Sequence, residues 1–186
     1  MDSPLYFDEI DVGRIWVSPG RTVTEADVIQ FATSTGDFNP LHVDFEFASK
    51  SHYRQPVAHG LLGLAWVAGL GSYSPNVNTL AFTAVRNWEF HRPLFFGDTV
   101  RVETTCQEKI PGRRSGKVTW FRRLLNQSNQ VVQHGVFETL VAVRNSVPDN
   151  HLGASGQKST TGQPGESSGG GVERGPGANR FMEKPS

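Results

Sequence analysis

The sequence has one cysteine, no net charge and no long hydrophobic run, and each shortage excludes a class of protein. Cys106 cannot form an intrachain disulfide, and no cysteine or histidine group has zinc-ligand spacing, which favours a reducing compartment. Eighteen basic residues balance 18 acidic residues, so no overall attraction to nucleic acid or acidic membranes is expected. No stretch approaches the roughly 18 consecutive apolar residues of a membrane span. The expected partner is a small molecule.

The two ends of the chain differ in composition from the middle. Residues 1–11 carry several acids and no basic segment before an apolar run, which argues against a secretory signal and favours a cytoplasmic protein. Near Val147 the sequence changes to Gly, Ser, Pro and charged residues, which offer too little apolar surface to offset the entropy of ordering. We therefore expect one folded domain over residues 1–146 and a disordered tail over residues 147–186.

A helix is predicted after Thr24, because this residue and Asp27 have the spacing of an N-cap and its N3 acid. Val28, Phe31 and Ala32 follow at helical spacing, and Gly36 stands where a glycine commonly ends a helix. Asp37 is then expected just beyond the helix, in a loop that Pro40 keeps from becoming helical. A shorter helix is predicted from Asp44 to Ala48.

The densest apolar segment, Gly60 to Gly71, is hydrophobic nearly all round, which predicts a helix buried on most sides. After Pro75 the pattern changes to period two, with Phe82, Trp88 and Phe90 among the alternating residues. Further strands are predicted over residues 99–108, 117–125 and 131–144, with turns at residues 97–98 and 126–129. This order predicts an α+β domain in which an antiparallel sheet wraps a long central helix.

Asp37 and His42 are five residues apart and suit acid–base chemistry. Histidine titrates near neutral pH and can accept or donate a proton, while a carboxylate can orient water. The same segment is also good turn chemistry, in which Asp37 only satisfies loop amides. Spacing alone leaves both interpretations open.

Pro56-Val57-Ala58-His59-Gly60 leads into the long helix. A helix start offers unpaired N–H groups, and glycine permits close approach of a ligand, so the Gly60 amide can serve as an oxyanion hole. The alternative is that Gly60 only permits a tight junction between loop and helix. His59 is expected to anchor the loop by hydrogen bonding rather than to act as a second base.

Three ordered motifs resemble the MaoC-like (R)-specific enoyl-CoA hydratases: Gly36 to Asp44, Pro56 to Leu62 and Arg92 to Val100. The resemblance covers about residues 10 to 145. It implies a single hot-dog fold, with the helix Gly60 to Ser72 enclosed by the later strands, and pairing of two subunits through their sheets into a dimer. It also implies an acyl thioester substrate, and we expect no metal or redox cofactor to be required.

The resemblance also implies the roles of individual residues. Asp37 and His42 become the catalytic pair that handles a water molecule, and the Gly60 amide becomes the oxyanion donor; which of the pair is the base stays open. Asn39, Val57 and Ala58 are expected substrate contacts. Small residues at Ala68 and Gly71 are expected to leave room for a longer or branched acyl chain, or else to admit a neighbouring strand.

Several activities remain compatible with these residues. The reverse reaction, dehydration of a 3-hydroxyacyl thioester on CoA or a carrier protein, uses the same groups, as does a dehydratase of branched or dicarboxylic acyl-CoA. A thioesterase fits less well because hydrolysis requires attack at C1. A non-catalytic subunit of a heterodimer is the alternative from another class, and the presence of both Asp37 and His42 weighs against it.

Overall fold

The computed structural model of this protein describes residues 3–144. The predicted domain boundary at residue 146 and the predicted tail over residues 147–186 lie outside the described residues. Within residues 3–144, no helix is both long enough and apolar enough to cross a membrane.

In this described part of the chain, four helices and six strands follow a short 3₁₀ turn at Phe7–Glu9. In chain order they are β1 (Ile15–Val17), β2 (Arg21–Thr22), α1 (Glu25–Thr35), α2 (Pro40–Val43), α3 (Phe45–Ser49), α4 (Gly60–Gly71), β3 (Thr79–Phe90), β4 (Thr99–Ile110), β5 (Ser115–Leu125) and β6 (Val131–Ala142). The helices predicted at α1, α3 and α4 and the four long strands are confirmed. The short strands β1 and β2 were not predicted.

The strands form one antiparallel sheet in the order β1-β4-β5-β6-β3, with β2 paired to β4. Helix α4 packs across β4 and β5. Its Leu62, Trp66 and Val67 belong to the same buried cluster as Trp120 and Phe137 of the sheet. This arrangement confirms the α+β architecture with an antiparallel sheet around a central helix.

Strand β3 departs from the expected alternation of buried and exposed residues. Most of its side chains are exposed, and Trp88 is one of the few that are partly buried. Its pairing with β6 shifts register at three places, and Asn87 has a positive φ of 50°. Such irregularities turn side chains out of strict alternation. The strand also lies at the edge of the sheet, so one of its sides has no neighbouring strand among residues 3–144.

Helix α1 begins and ends as its sequence predicts. The Thr24 hydroxyl accepts a hydrogen bond from the Asp27 amide, the Asp27 carboxylate accepts one from the Thr24 amide, and Gly36 ends the helix at φ 81°. Val28 and Ala32 are buried on its inner face. The chain therefore leaves α1 at a defined point, immediately before Asp37.

The prediction that Pro40 keeps the following segment out of a helix is wrong. Pro40 is the first residue of α2, and the Asn39 side chain caps this helix by accepting a hydrogen bond from the Leu41 amide at 3.0 Å. Proline is tolerated in the first helical turn because no N–H is needed there and its fixed φ is already helical. His42 consequently lies on a helical turn rather than in a loop.

Helix α4 has one exposed stripe and is otherwise mostly buried. Leu61 is 60% exposed, and Ala65 and Gly69 follow it on the exposed side at four-residue spacing. The helix is therefore buried, as predicted, on the face toward the sheet. The apolar stripe of Leu61, Ala65 and Gly69 is exposed.

Candidate active site

Asp37 directly follows Gly36, and one of its carboxylate oxygens accepts a backbone hydrogen bond. Its Oδ1 accepts a hydrogen bond from the Asn39 amide at 3.2 Å, a local turn that fixes the side chain. The side chain is 54% exposed. The turn therefore orients the carboxylate but does not consume both of its oxygens.

His42 projects from α2 into a fixed hydrogen bond. Its Nδ1 lies 2.6 Å from the Val57 carbonyl oxygen. A carbonyl can only accept, so Nδ1 carries the proton and donates it. In the neutral ring Nε2 then holds the lone pair, and this nitrogen is the one able to take a proton from another molecule.

His59 is buried and contacts both Asp37 and His42. Its Nε2 donates to the Asp37 carbonyl oxygen at 2.8 Å and lies 3.8 Å from the Asp37 Oδ2. Its ring packs against that of His42 with centroids 3.8 Å apart, and the centroid of the Phe31 ring lies 5.0 Å from that of His59. Asp37, His42 and His59 therefore converge, with one side-chain ligand atom of each within 4.8 Å of the others.

The remaining ring nitrogen of His59, Nδ1, is buried and has no hydrogen-bond partner in the part of the chain that the structure describes. Because Nε2 donates to a carbonyl, the neutral ring leaves Nδ1 as an acceptor. His59 thus anchors the loop that carries Asp37, as the sequence analysis expected of it.

Gly60 is the first residue of α4, where a helix cannot satisfy its own amide. Among residues 3–144 the structure gives this N–H no acceptor. A Cβ at position 60 would lie 3.0 Å from the Phe90 ring, so glycine allows this ring to pack closely against the helix start. The amide and the positive end of the helix dipole are both available to a developing negative charge.

His42, His59 and Gly60 border a cavity of about 300 Å³, whereas Asp37 is not among its lining residues. Its walls come from residues 41–42, 57–60 and 90–94, together with Tyr53 and Gln133. The backbone holds these segments together, since the Ala58 amide donates to the Leu94 carbonyl at 2.8 Å and the Val57 amide to the Leu41 carbonyl at 3.3 Å. The predicted residues His42, Val57, Ala58 and Gly60 therefore share one cavity.

Gln133 in β6 is a buried member of this site that the sequence analysis missed. Its Nε2 donates to the Gly60 carbonyl at 2.9 Å, and its Oε1 accepts from Trp88 Nε1 at 3.2 Å. A Cβ at Gly63 would lie 2.3 Å from the Gln133 amide nitrogen, so the glycine makes room for it. The alternation of β6 could have predicted this burial, because it puts Gln133 on the same face of the strand as the buried Phe137.

Three predicted substrate contacts lie elsewhere. The Asn39 side chain is engaged in capping α2, and Ala68 packs against the core cluster without bordering the cavity. Next to Gly71 the space is filled, because a Cβ there would lie 2.7 Å from the Arg122 guanidinium. The substrate role of these residues stays a prediction.

Arg122 in β5 was not anticipated in the core. It donates to the carbonyls of Val67 and Gly71 in the last turns of α4, and its guanidinium lies 4.8 Å from the centroid of the Phe137 ring. Burial lowers the pKa of Arg122 to about 10. The helix C-terminus, which carries partial negative charge, is the principal compensation for this buried cation.

A model of the MaoC like domain matches residues 13–125 of this chain. The 3-hydroxybutyryl-CoA dehydratase of Methylorubrum extorquens is 31% identical over 115 residues, covering 61% of this chain and 71% of that protein. The (R)-specific enoyl-CoA hydratase of Rhodospirillum rubrum is 28% identical over 140 residues, covering 75% and 93%. Protein MaoC of Klebsiella aerogenes is 36% identical over 104 residues, which span 56% of this chain but 31% of that protein.

Solved structures resemble the fold. One named a monoamine oxidase regulatory protein, from Archaeoglobus, has a TM-score of 0.68 at 34% identity and covers 75% of this chain and 95% of its own. An unliganded R-hydratase from Pseudomonas aeruginosa has a TM-score of 0.64 at 26% identity, covering 81% and 97%. A Mycobacterium tuberculosis protein with a double hot-dog fold has a TM-score of 0.65 at 21% identity, covering 81% and 47%. These likenesses confirm the expected hot-dog fold.

Proposed function

The chain belongs to the MaoC-like dehydratase family, and from that premise we propose that it is an (R)-specific enoyl-CoA hydratase. The reaction adds water across the 2,3 double bond of a trans-2-enoyl thioester, or runs in reverse as a dehydration. The observation that carries the proposal is the hydrogen bond from His42 Nδ1 to the Val57 carbonyl. It leaves Nε2 as a proton acceptor beside the carboxylate of Asp37.

The two side chains suit one water molecule. Water can donate two hydrogen bonds. Neutral His42 accepts one of them at Nε2, and the ionised Asp37 carboxylate accepts the other. A water held by both directs an oxygen lone pair away from them, toward C3 of a thioester in the cavity. Removal of one proton as the O–C3 bond forms makes this oxygen the nucleophile.

The electrons of the double bond move toward the thioester oxygen as C3 is attacked. In the proposed arrangement the Gly60 N–H stabilises this developing enolate oxygen, a contribution worth about 10²–10³ in rate where such donors have been removed. The Asp37–His42 pair then returns the proton to C2, which completes the addition of water. This route uses only water and protons, so it calls for no metal or redox cofactor.

Substitutions at Asp37 and His42 test the proposal. Asp37→Asn and His42→Gln should each lower the turnover of crotonyl-CoA by about 10²-fold or more, the scale of general acid–base catalysis. His42→Asn should be equally impaired although its amide can still donate to the Val57 carbonyl. Glu46→Gln is the matched control, since Glu46 is an exposed carboxylate that pairs with Lys50 four residues further along the chain.

Near-native turnover in both Asp37→Asn and His42→Gln would refute the catalytic assignment. If the wild-type chain hydrates no enoyl-CoA alone but a co-purified partner does, the chain is a non-catalytic subunit instead. Parallel assays of CoA and carrier-protein thioesters of several chain lengths, with chiral analysis of the product, identify the substrate class and the stereochemistry. Location in the cytoplasm remains a prediction.

We also propose that two copies of the chain pair along β3. This 12-residue strand lies at the edge of the sheet, and Leu80, Phe82 and Phe90 are each more than half exposed. A long apolar edge promotes pairing with another chain. Sedimentation equilibrium should give a homodimer, weakened by Leu80→Lys but not by Val12→Lys, which replaces a valine of equal exposure elsewhere. A monomeric wild-type protein would contradict this.

A further inference from the structure

A second cluster of side chains, separate from Asp37, His42 and His59, lies at the end of β3. It consists of Glu89, His91 and His134. His91 Nε2 lies 2.6 Å from His134 Nδ1. The Glu89 Oε2 lies 3.6 Å from His91 Nε2 and 3.8 Å from His134 Nε2. One side-chain ligand atom from each of the three residues lies within 4.8 Å of the others.

The backbone holds this cluster in place. Glu89 and His134 are direct partners in the β3–β6 ladder. The amides of His91 and Arg92 both donate to the Val132 carbonyl, at 2.8 and 3.2 Å, which ties the residues after β3 to β6. The two histidines are 43 positions apart in sequence, so no local spacing reveals the cluster.

The chemistry of the cluster favours a cation. The two rings are stacked with centroids 4.6 Å apart and planes inclined by 13°. Two neutral imidazoles with one carboxylate form a ligand set that suits Zn²⁺, Cu²⁺ and Ni²⁺, whereas Mg²⁺ and Ca²⁺ prefer oxygen. We propose that Glu89, His91 and His134 bind a divalent transition-metal ion.

A single ion would use one nitrogen of His134, either Nδ1, which lies 2.6 Å from His91 Nε2, or Nε2, which lies 3.8 Å from the Glu89 carboxylate. Zn–N distances of 2.0–2.1 Å in tetrahedral geometry put two ligand nitrogens about 3.4 Å apart, so the 2.6 Å pair must open by about 0.8 Å. The side chains are partly exposed, at 59% for Glu89, 37% for His91 and 29% for His134, and can rotate by this amount. Three protein ligands leave a coordination position open to water or another ligand.

The site lies at the rim of the candidate active site. His91 and Arg92 border the catalytic cavity and also a neighbouring hollow that His134 lines. A bound ion therefore adds positive charge beside Arg92 at the cavity mouth. The inference does not depend on the proposed reaction, because neither His91 nor His134 takes part in it.

Calorimetric titration of the tag-free full-length protein with Zn²⁺, and separately the absorption spectrum with Co²⁺, test the proposal without any acyl thioester. Glu89→Gln and His134→Gln should each weaken binding at least about tenfold, because loss of even an outer-shell partner of a metal ligand costs about 10–100-fold in affinity. His52→Gln, an exposed histidine in contact with Tyr53, and His42→Gln, in the other histidine cluster, should leave this binding intact.

Circular dichroism of each variant establishes that it is folded, and Glu89→Gln alters only an exposed side chain. No binding to the wild-type protein at about 1 mM Zn²⁺, which sets the free energy of binding weaker than about −4 kcal/mol, would overturn the proposal. Equal binding by wild-type protein and both site variants would overturn it as well.

Discussion

Helix α4 contains four glycines, at positions 60, 63, 69 and 71, and alanine at each should give a different result. Alanine in place of glycine inside a helix stabilises it by up to about 1 kcal/mol. At Gly69 a Cβ would meet nothing within 4 Å, so Gly69→Ala should realise this gain. For a domain of this size the melting temperature should rise by about 3 °C, with turnover unchanged.

Gly63→Ala should have the opposite effect on stability. The added Cβ would lie 2.3 Å from Gln133 Nε2, and displacement of this buried amide breaks its bonds to the Gly60 carbonyl and Trp88. Each lost bond costs about 1 kcal/mol, and a buried polar group left unsatisfied costs up to about 3 kcal/mol. After the helical gain of about 1 kcal/mol is subtracted, the net loss should be about 1–4 kcal/mol. Gly71→Ala should be similarly destabilising, because its Cβ would meet the Arg122 guanidinium at 2.7 Å.

Gly60→Ala should separate stability from activity. The clash is with the edge of the Phe90 ring at 3.0 Å, and this ring is 53% exposed and can move by the few tenths of an ångström required. The fold should therefore be retained. A methyl group beside the proposed oxyanion donor should displace the thioester, and a misplacement of about 1 Å costs about 10²-fold in rate.

Thermal unfolding followed by circular dichroism, together with crotonyl-CoA hydration, distinguishes the four variants. Equal melting temperatures for Gly63→Ala and Gly69→Ala would refute the packing argument. Wild-type kcat/KM in a folded Gly60→Ala protein would refute the role of the Gly60 amide. Because Gly69→Ala makes the same chemical change in the same helix, it controls for helix propensity in each comparison.

Two further predictions concern His59 and Asp27. His59→Leu should lower kcat by about 10–100-fold while KM changes little, because the Asp37 loop loses its anchor. His59→Gln can still donate a hydrogen bond to the Asp37 carbonyl and should restore most of the lost kcat. Equal inactivity of both folded variants would indicate a direct chemical role for His59. At Asp27, partial burial raises the pKa, but hydrogen bonds from Thr24 and Arg21 outweigh it and hold the pKa below the ordinary value of 3.8. The ionised carboxylate therefore stabilises the fold above pH 3.8 and ceases to as pH falls through the lower folded value. Asp27→Asn should cost about 1 kcal/mol in urea unfolding at pH 7, as for a lost helix cap. This cost should shrink as the pH falls below 3.8, and a cost that does not change as the pH is lowered would contradict this.

The elements predicted correctly are those whose signals are local. Thr24, Asp27 and Gly36 mark both ends of α1 within a dozen residues, and each long strand has its own alternating pattern. Strands β1 and β2 have three and two residues, which is too short for any periodicity. Pro40 was misplaced because proline both ends helices and begins them, and only the capping by Asn39 decides between these roles.

In the candidate site, too, contacts between residues close in sequence could be predicted, whereas contacts between distant residues could not. Asp37 and His42 belong to one short segment, so their proximity follows from the chain itself. Gln133 and Arg122 come from β6 and β5 and lie under α4 only because of how the sheet is registered against the helix. A polar residue in a strand is ordinarily expected on the solvent face, and in these two cases the buried face holds it because carbonyls of α4 accept its hydrogen bonds.

Side-chain donors tie the site together through backbone acceptors. His42 donates to the Val57 carbonyl, His59 to the Asp37 carbonyl and Gln133 to the Gly60 carbonyl. Substitution of a side chain leaves its own carbonyl in place, so Asp37→Asn keeps the bond from His59 and the position of its loop. A loss of turnover in that variant therefore reports the chemistry of the carboxylate, whereas a loss in His59→Leu reports the position of the loop.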